Sequence, residues 1–284
     1  MAQTSKPLVT YSQNREDFFL WALIGHRKNG FYVDVGAHDP ELHSVTKLFY
    51  DRGWSGINIE ANPHLFKPFP RARKRDINLN VGVADKKQLL VFRRYPHHPG
   101  FSTFSEYVKK EHESEQIPHV DEAIPARPLK DIFREYKVKK IDFMSIDVEG
   151  FEVEVIKGND WEKYRPNVMV LEATMRKKVN PLLKSLGYKL EFFDGLNNYY
   201  VDTRSTEQLT IYRYAPTILA SGFYTTFEDR LQKQLRKLSD ELDQKNREYE
   251  LINSQLNEMK RLRNQPKNLA KASRAFLHYR LNRK

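Results

Sequence analysis

The sequence predicts an α/β fold: a doubly wound, mostly parallel sheet closed by an antiparallel hairpin and followed by a coiled-coil helix. Three observations predict it. Short apolar runs, Phe31-Tyr-Val-Asp-Val35, Gly56-Ile-Asn-Ile-Glu60 and Ile141-Asp-Phe-Met-Ser-Ile146 among them, alternate with segments of helical spacing, as strands buried on both faces do. These runs end at or beside an acid (Asp34, Glu60, Asp147), and in such a sheet ligands sit at the carboxyl ends of the strands. From Phe227 onward the apolar residues recur at alternating steps of four and three, the spacing of a coiled coil.

In chain order, residues 11–23 read as a helix with Ser12 as N-cap and Glu16 and Asp17 in its first turn, where acids suit the helix dipole. Phe31 to Val35 is the first strand. Gly36 then lets the backbone approach a ligand, and Glu60, at the end of the second strand, can accept hydrogen bonds from two ribose hydroxyls. Gly36-Ala-His-Asp-Pro40 lacks the G-x-G-x-x-G of a dinucleotide fold. An adenosine without phosphates therefore fits better than a pyrophosphate. Residues 44–52 give a helix closed by Gly53, and Ala61-Asn-Pro63 starts the next, with Pro63 at its first position. Ile77 to Val83 alternates as a third strand, with Asp85 following where an adenine would lie. Leu89 to Tyr95 reads as an added strand.

Residues 96–128 have little periodicity and carry His97, His98, Ser102 and Phe104. A structureless connection of that size is usually functional or disordered, and it reads as a substrate-side lid. A helix at 129–136 leads to the strand 141–146, ending in Asp147-Val-Glu149-Gly150. A further helix (151–157, stopped by Gly158), a strand (168–171, ending at Glu172) and a helix (180–186) follow. A hairpin, 188–193 with 198–201, turns at Asp194-Gly-Leu-Asn197. Last comes the seam Leu231, Leu235, Leu238, Leu242, Lys245, Tyr249, Ile252, Leu256, Met259, which predicts self-association. The domains are thus 1–226 catalytic, 227–263 coiled coil and 264–284 a basic, weakly amphipathic tail.

A chain of 284 residues buries one sizeable core and a smaller appendage. It has no cysteine, which excludes a disulfide framework and a cysteine-based zinc site. Met1 to Asn14 has no apolar h-region, and no apolar run reaches about 18 residues, so neither signal peptide nor membrane span is expected. The net charge of +11 is uneven: nine Lys or Arg and no acid follow from Lys260, leaving 39 basic against 37 acidic residues before it. A basic end of this kind suits an anionic membrane surface. Nucleic acid is the alternative partner, but the excess charge lies outside the body and no base-reading module is present.

The acids Asp34, Glu60, Asp85, Asp147, Glu149 and Glu172, gathered at one crevice, would raise one another's pKa unless something positive joins them, a sulfonium or a divalent metal. Ser12-Gln13…Glu16-Asp17, residues 31–40, Gly53-Trp-Ser-Gly-Ile-Asn-Ile-Glu-Ala-Asn-Pro63, residues 141–150 and Asp194-Gly-Leu-Asn-Asn-Tyr-Tyr200 together resemble the FkbM-type S-adenosylmethionine-dependent methyltransferases. The resemblance spans about residues 11–202 and five motifs in order. It implies a class I methyltransferase (Rossmann-like) sheet, S-adenosylmethionine as cofactor and O-methylation of sugar or polyketide hydroxyls. Asp34 and Gly36 would hold the methionine part, Glu60 the ribose, and Asp147 and Glu149 would face the methyl and acceptor. The expected cofactor set is Gln13, Asp34, Gly36, Ala37, Glu60, Ala61, Asp85 and Asp147; the expected substrate set is Asp17, Ser102, Glu172 and Asn197. Where the family often has Asn after Gly-Ala, this chain has His38.

In-line displacement needs the acceptor oxygen held close to the sulfonium methyl and a base for its proton. Asp147 or Glu149 is the first candidate base and His38 the second. A magnesium ion that lowers the hydroxyl pKa is a third option. The leading expectation is a glycan or glycolipid O-methyltransferase, homo-oligomeric through its coil, cytoplasmic and peripheral at the inner face of a membrane. The competing expectations are an RNA methyltransferase and a non-catalytic coiled-coil scaffold.

Overall fold

A computed structural model describes residues 9–205, 226–263 and 278. The chain divides into two units, Met1–Phe227 and Glu228–Lys284.

In the first unit a seven-stranded sheet has the order β3-β2-β1-β7-β8-β10-β9. Its members are β1 (Phe31–Val35), β2 (Ser55–Ile59), β3 (Ile77–Leu79), β7 (Ile141–Ile146), β8 (Pro166–Glu172), β9 (Tyr188–Phe193) and β10 (Asn197–Asp202). Neighbours from β3 to β8 pair in parallel, and β10 runs antiparallel to both β8 and β9. This is a doubly wound, Rossmann-like sheet in which the strand order reverses between β1 and β7.

The runs that read as doubly buried are so. On β1, Val33 and Val35 join one core with Met144 and Ile146 of β7 and Met169 and Leu171 of β8. That core is closed by α6 (Leu129–Glu135), α7 (Glu152–Lys157) and α8 (Arg176–Ser185). The alternate residues Tyr32, Phe143, Val168 and Val170 face α1 (Glu16–Ile24) and α2 (Lys47–Asp51) with Phe19, Phe49 and Trp54. Period-2 alternation thus puts Asp34 on the α2 side. Two short helices, α3 (Pro63–Phe66) and α4 (Phe69–Ala72), link β2 to β3, and Asn62 caps α3 by accepting from the His64 N–H at 3.0 Å.

Three expectations are corrected. Ser12 is no N-cap: α1 starts at Glu16 after a left-handed Arg15 (φ 64°), and the Ser12 hydroxyl donates to Asp17 at 2.8 Å. The single strand expected at 77–83 is two, β3 and β4 (Gly82–Val83). They part because the Asn80 side chain donates to the carbonyls of Glu60 (2.8 Å) and Ala61 (3.1 Å), which turns the chain.

Residues 96–128, the third, are not structureless. They hold a 3-10 turn (Pro99–Phe101), α5 (Glu106–Ser114) and β6 (Val120–Arg127). β6 lies between β4 (parallel) and β5 (Gln88–Arg94, antiparallel) in a separate three-stranded sheet. Little periodicity marks them because α5 buries only Val108 and Lys109, and β6 is largely exposed with Pro125 inside it.

In the second unit α9 (Thr226–Arg263) is one continuous helix. Its seam residues Leu238, Leu242, Tyr249, Ile252 and Leu256 are 41–66% exposed. The tail expected at 264–284 lies outside the described residues except His278. Among the described residues no helix is long and apolar enough to cross a membrane.

Candidate active site

A cavity of about 840 Å³ opens at the carboxyl ends of β1, β2, β7 and β8, at the reversal of strand order where such sheets bind ligands.

One end is built by β1 and β2. Gly36 has φ +81°, and a β-carbon there would lie 1.7 Å from the Asp147 carbonyl oxygen, so only glycine closes this turn. Gly36 and Ala37 N–H groups donate to the Ile59 carbonyl at 2.9 and 3.1 Å. Glu60 accepts from the His38 N–H (2.8 Å) and the Asn62 N–H (2.7 Å). A carboxylate fixed this way keeps lone pairs for two hydroxyls. Burial, with the Asp34 charge adding, pushes its pKa up to about 7. Burial also pushes Asp34 up to about 6, against the opposing pull of the Thr46 hydrogen bond and the Arg73 charge. Ile59, Leu65, Val81 and Val83 supply an apolar wall.

At the other end, Asp147, Glu149 and Glu172 bring carboxylate oxygens within 4.8 Å of one another. Asp147 opens onto the cavity, yet its crowded surroundings push it well above the usual carboxylate range, by desolvation first and then by Glu172, Glu149, Glu152 and Glu16. Burial and the Glu172 and Glu152 charges push Glu149 to about 8. Burial also raises Glu172, whose Oε2 is buried without a hydrogen-bond partner. Beneath them Glu152 is fully buried and takes the Gly150 N–H at 3.0 Å.

The backbone carries strain here. Glu149 (φ 50°) and His38 (φ 54°) are left-handed although neither is glycine, a conformation that costs energy and clusters at functional sites. The Thr103 hydroxyl holds the first turn by donating to the Glu149 carbonyl at 2.7 Å. Burial lowers the His38 pKa, its Nδ1 is buried without a partner, and its ring stacks on His43 with centroids 6.3 Å apart.

Of the residues singled out from sequence, Gln13, Asp34, Gly36, Ala37, His38, Glu60, Ala61, Ser102, Asp147, Glu149, Glu172 and Asn197 line this cavity. Two do not. Asp85 is exposed beyond β4, within 3.4 Å of the Gln88 amide, because the break at Asn80 gives Val81, Gly82 and Val83 the place expected for it. Asp17 is buried away from the cavity, where it accepts from Thr10, Ser12 and the Tyr11 N–H and fastens the N-terminal segment. Sequence reasoning did not single out Glu16 as a site residue, yet it lines the cavity and accepts from Asn197 at 2.7 Å. Thr103 and Arg73 were likewise passed over, since each meets its partner far along the chain.

Residues 34–190 match the methyltransferase FkbM domain. The chain belongs to the FkbM methyltransferase family. Methyltransferase sdnD of Sordaria araneosa is similar to it, 27% identical over an alignment of 202 residues that covers 57% of this chain and 74% of that protein, gaps included in its length. Two solved structures are faintly similar. A TehB-like SAM-dependent methyltransferase from Corynebacterium glutamicum is 9% identical with a TM-score of 0.35, over 66% of this chain and 86% of that one. The METTL16 MTase domain is 13% identical with a TM-score of 0.36, over 67% of each chain.

This FkbM methyltransferase therefore uses S-adenosylmethionine, and the cavity fits that cofactor. Gly36 leaves the main chain bare, Glu60 retains lone pairs that would take a pair of ligand hydroxyls, and buried Asp34 opens a negative charge onto the same space.

Proposed function

We propose that this FkbM methyltransferase is an O-methyltransferase acting on a sugar hydroxyl of a surface or lipid-linked glycan. The observation that carries the reading is the convergence of Asp147, Glu149 and Glu172 within 4.8 Å at the cavity floor. A sugar hydroxyl is a weak nucleophile, so its proton must leave as the new bond forms. A carboxylate raised towards neutral pH is a stronger base than an ordinary one, and Glu149 and Asp147 are both raised. His38, held neutral by burial, is the second candidate. Phe101, Phe104, Phe151, His97 and His98 line the same cavity and offer the ring faces on which a sugar can stack.

When bound, S-adenosylmethionine supplies the sulfonium methyl. The chain holds the acceptor oxygen in line and removes its proton. A magnesium ion suits Asp147, Glu149 and Glu172, because their oxygens converge and Glu172 Oε2 lacks a partner; it would lower the hydroxyl pKa. In the same reading α9 pairs with a second copy and the basic 264–284 segment rests on an anionic inner membrane surface.

Labelled-methyl transfer onto a panel of glycans, with and without chelator, tests this. Transfer to a sugar hydroxyl is expected, and dependence on added magnesium would place the ion. Transfer to RNA or polyketide acceptors alone, with none to glycans, overturns the reading.

A further inference from the structure

Arg73 follows α4 in the run Arg71-Ala-Arg-Lys-Arg-Asp76, which reads as a solvated charge patch. Its side chain is nevertheless 0% exposed. Nε donates to the Pro40 carbonyl at 2.8 Å and Nη1 to the Tyr32 hydroxyl at 3.2 Å. Nη2 donates to the hydroxyls of Ser44 (2.7 Å) and Thr46 (3.1 Å). Thr46 passes this on by donating to Asp34 Oδ2 at 3.0 Å. Although Thr46 stands at the N-cap position of α2, its side chain caps nothing.

Arg73 has a second acid, Asp76, at 3.6 Å. That one already accepts from the Tyr32 hydroxyl (2.6 Å), the Gly56 N–H (2.9 Å) and Asn58 (3.0 Å). Asp34 is the acid that opens onto the cavity. In the sheet it is flanked by Asn58 and Ser145, both uncharged. Of the charged groups around it, Asp76 and Glu60 disfavour its charge, and Arg73 favours it; Tyr32 stays neutral, its hydroxyl donating to Asp76. A carboxylate this deeply buried keeps its charge only with such help. Hydrogen bonds running in one direction from a cation strengthen one another.

We propose that Arg73 and Thr46 are positioning residues, a relay that keeps Asp34 ionised and aimed at the ammonium of the cofactor's methionine part. This rests on assigning Asp34 to that end of the cofactor. Neither residue touches the cofactor; both act through Asp34.

Calorimetry on the full chain tests it with three ligands: S-adenosylmethionine, S-adenosylhomocysteine and adenosine, which lacks the amino-acid part. Thr46→Val keeps the shape and removes the donor; Thr46→Ala is a second donor-free variant, and Thr46→Ser restores the hydroxyl. Both donor-free variants are expected to bind the two amino-acid-bearing ligands about tenfold more weakly and to bind adenosine as the parent does. Thr46→Ser returns to parental affinity. In the parent, affinity for S-adenosylmethionine falls as pH drops through Asp34's titration near 6, and in Thr46→Val the fall begins at a higher pH. Unchanged binding of S-adenosylmethionine overturns the relay, as does equal weakening of all three ligands. Parental binding that does not distinguish adenosine from S-adenosylhomocysteine at any pH overturns instead the assignment of Asp34.

Discussion

Glu149 joins a left-handed backbone, a hydrogen-bonded carbonyl and a carboxyl pushed up to about 8. Glu149→Gln should cut turnover at least about a hundredfold while calorimetry shows S-adenosylmethionine binding intact; full turnover would remove Glu149 from the chemistry. A base acts only when deprotonated, so the parent's rate should climb with pH towards about 8, and a pH–rate profile of Glu149→Gln should lack that limb. Gly36→Ala forces a side chain into φ +81° and against the Asp147 carbonyl. It should lose at least about 2 kcal/mol of stability in denaturant titration. Asp34, Glu60, Asp147, Glu172 and Gly36 were legible in sequence because a strand and the turn after it are local, whereas Asp85 was misplaced where the third strand breaks. Arg73 and Thr103 were not, since Arg73 meets Thr46 27 residues away and Thr103 meets Glu149 46 away, and a contact at that range leaves no mark in a window of neighbours.

Among the elements, the long apolar strands and the closing pair of β9 and β10 could be read because burial on both faces, or a glycine turn between two runs, writes a dense pattern. The insertion between β4 and α6 could not, since β6 and α5 present most of their surface to water. Beyond the side chains it lends to the cavity lining, it holds the Glu149 turn through the Thr103 hydroxyl. Thr103 also bridges Arg93 of β5 through two main-chain hydrogen bonds, at 2.9 and 3.0 Å, so the outer strand of the small sheet and the Glu149 turn share one residue. Thr103→Val keeps the main-chain pair and frees the Glu149 carbonyl. Turnover should fall with cofactor affinity unchanged, measured by single-turnover methyl transfer beside calorimetry; a parental rate would show that the turn holds itself.

For the molecule as a whole, the raised acids make stability depend on pH. Asp34, Glu60, Glu152 and Glu149 titrate between about 6 and 8 when folded, against about 4 when unfolded. The folded chain thus holds protons that the unfolded chain has released, and stability falls as pH rises through that window. His38 and His43, lowered by burial, work in the opposite sense below about pH 6.5. The ligand-free protein should therefore melt higher at pH 6.5 than at pH 8.5; a melting temperature flat between the two would contradict the buried-acid account. α9 brings a separate expectation. Leu242 and Ile252 are 60% and 45% exposed, and such a stripe on a long helix calls for a cover. The full chain should sediment as an oligomer, and Leu242→Asp with Ile252→Asp should sediment as a monomer that still binds S-adenosylmethionine. Finally, β4 and β6 pair at Gly82 with Ala126 and Val83 with Arg127, so residues 84–125 start and finish side by side in the small sheet. A segment with neighbouring ends can be traded for another of different length without stretching the scaffold. Such an exchange would replace His97, Phe101 and Phe104 in the cavity lining and leave Asp34, Gly36 and Glu60 where they are.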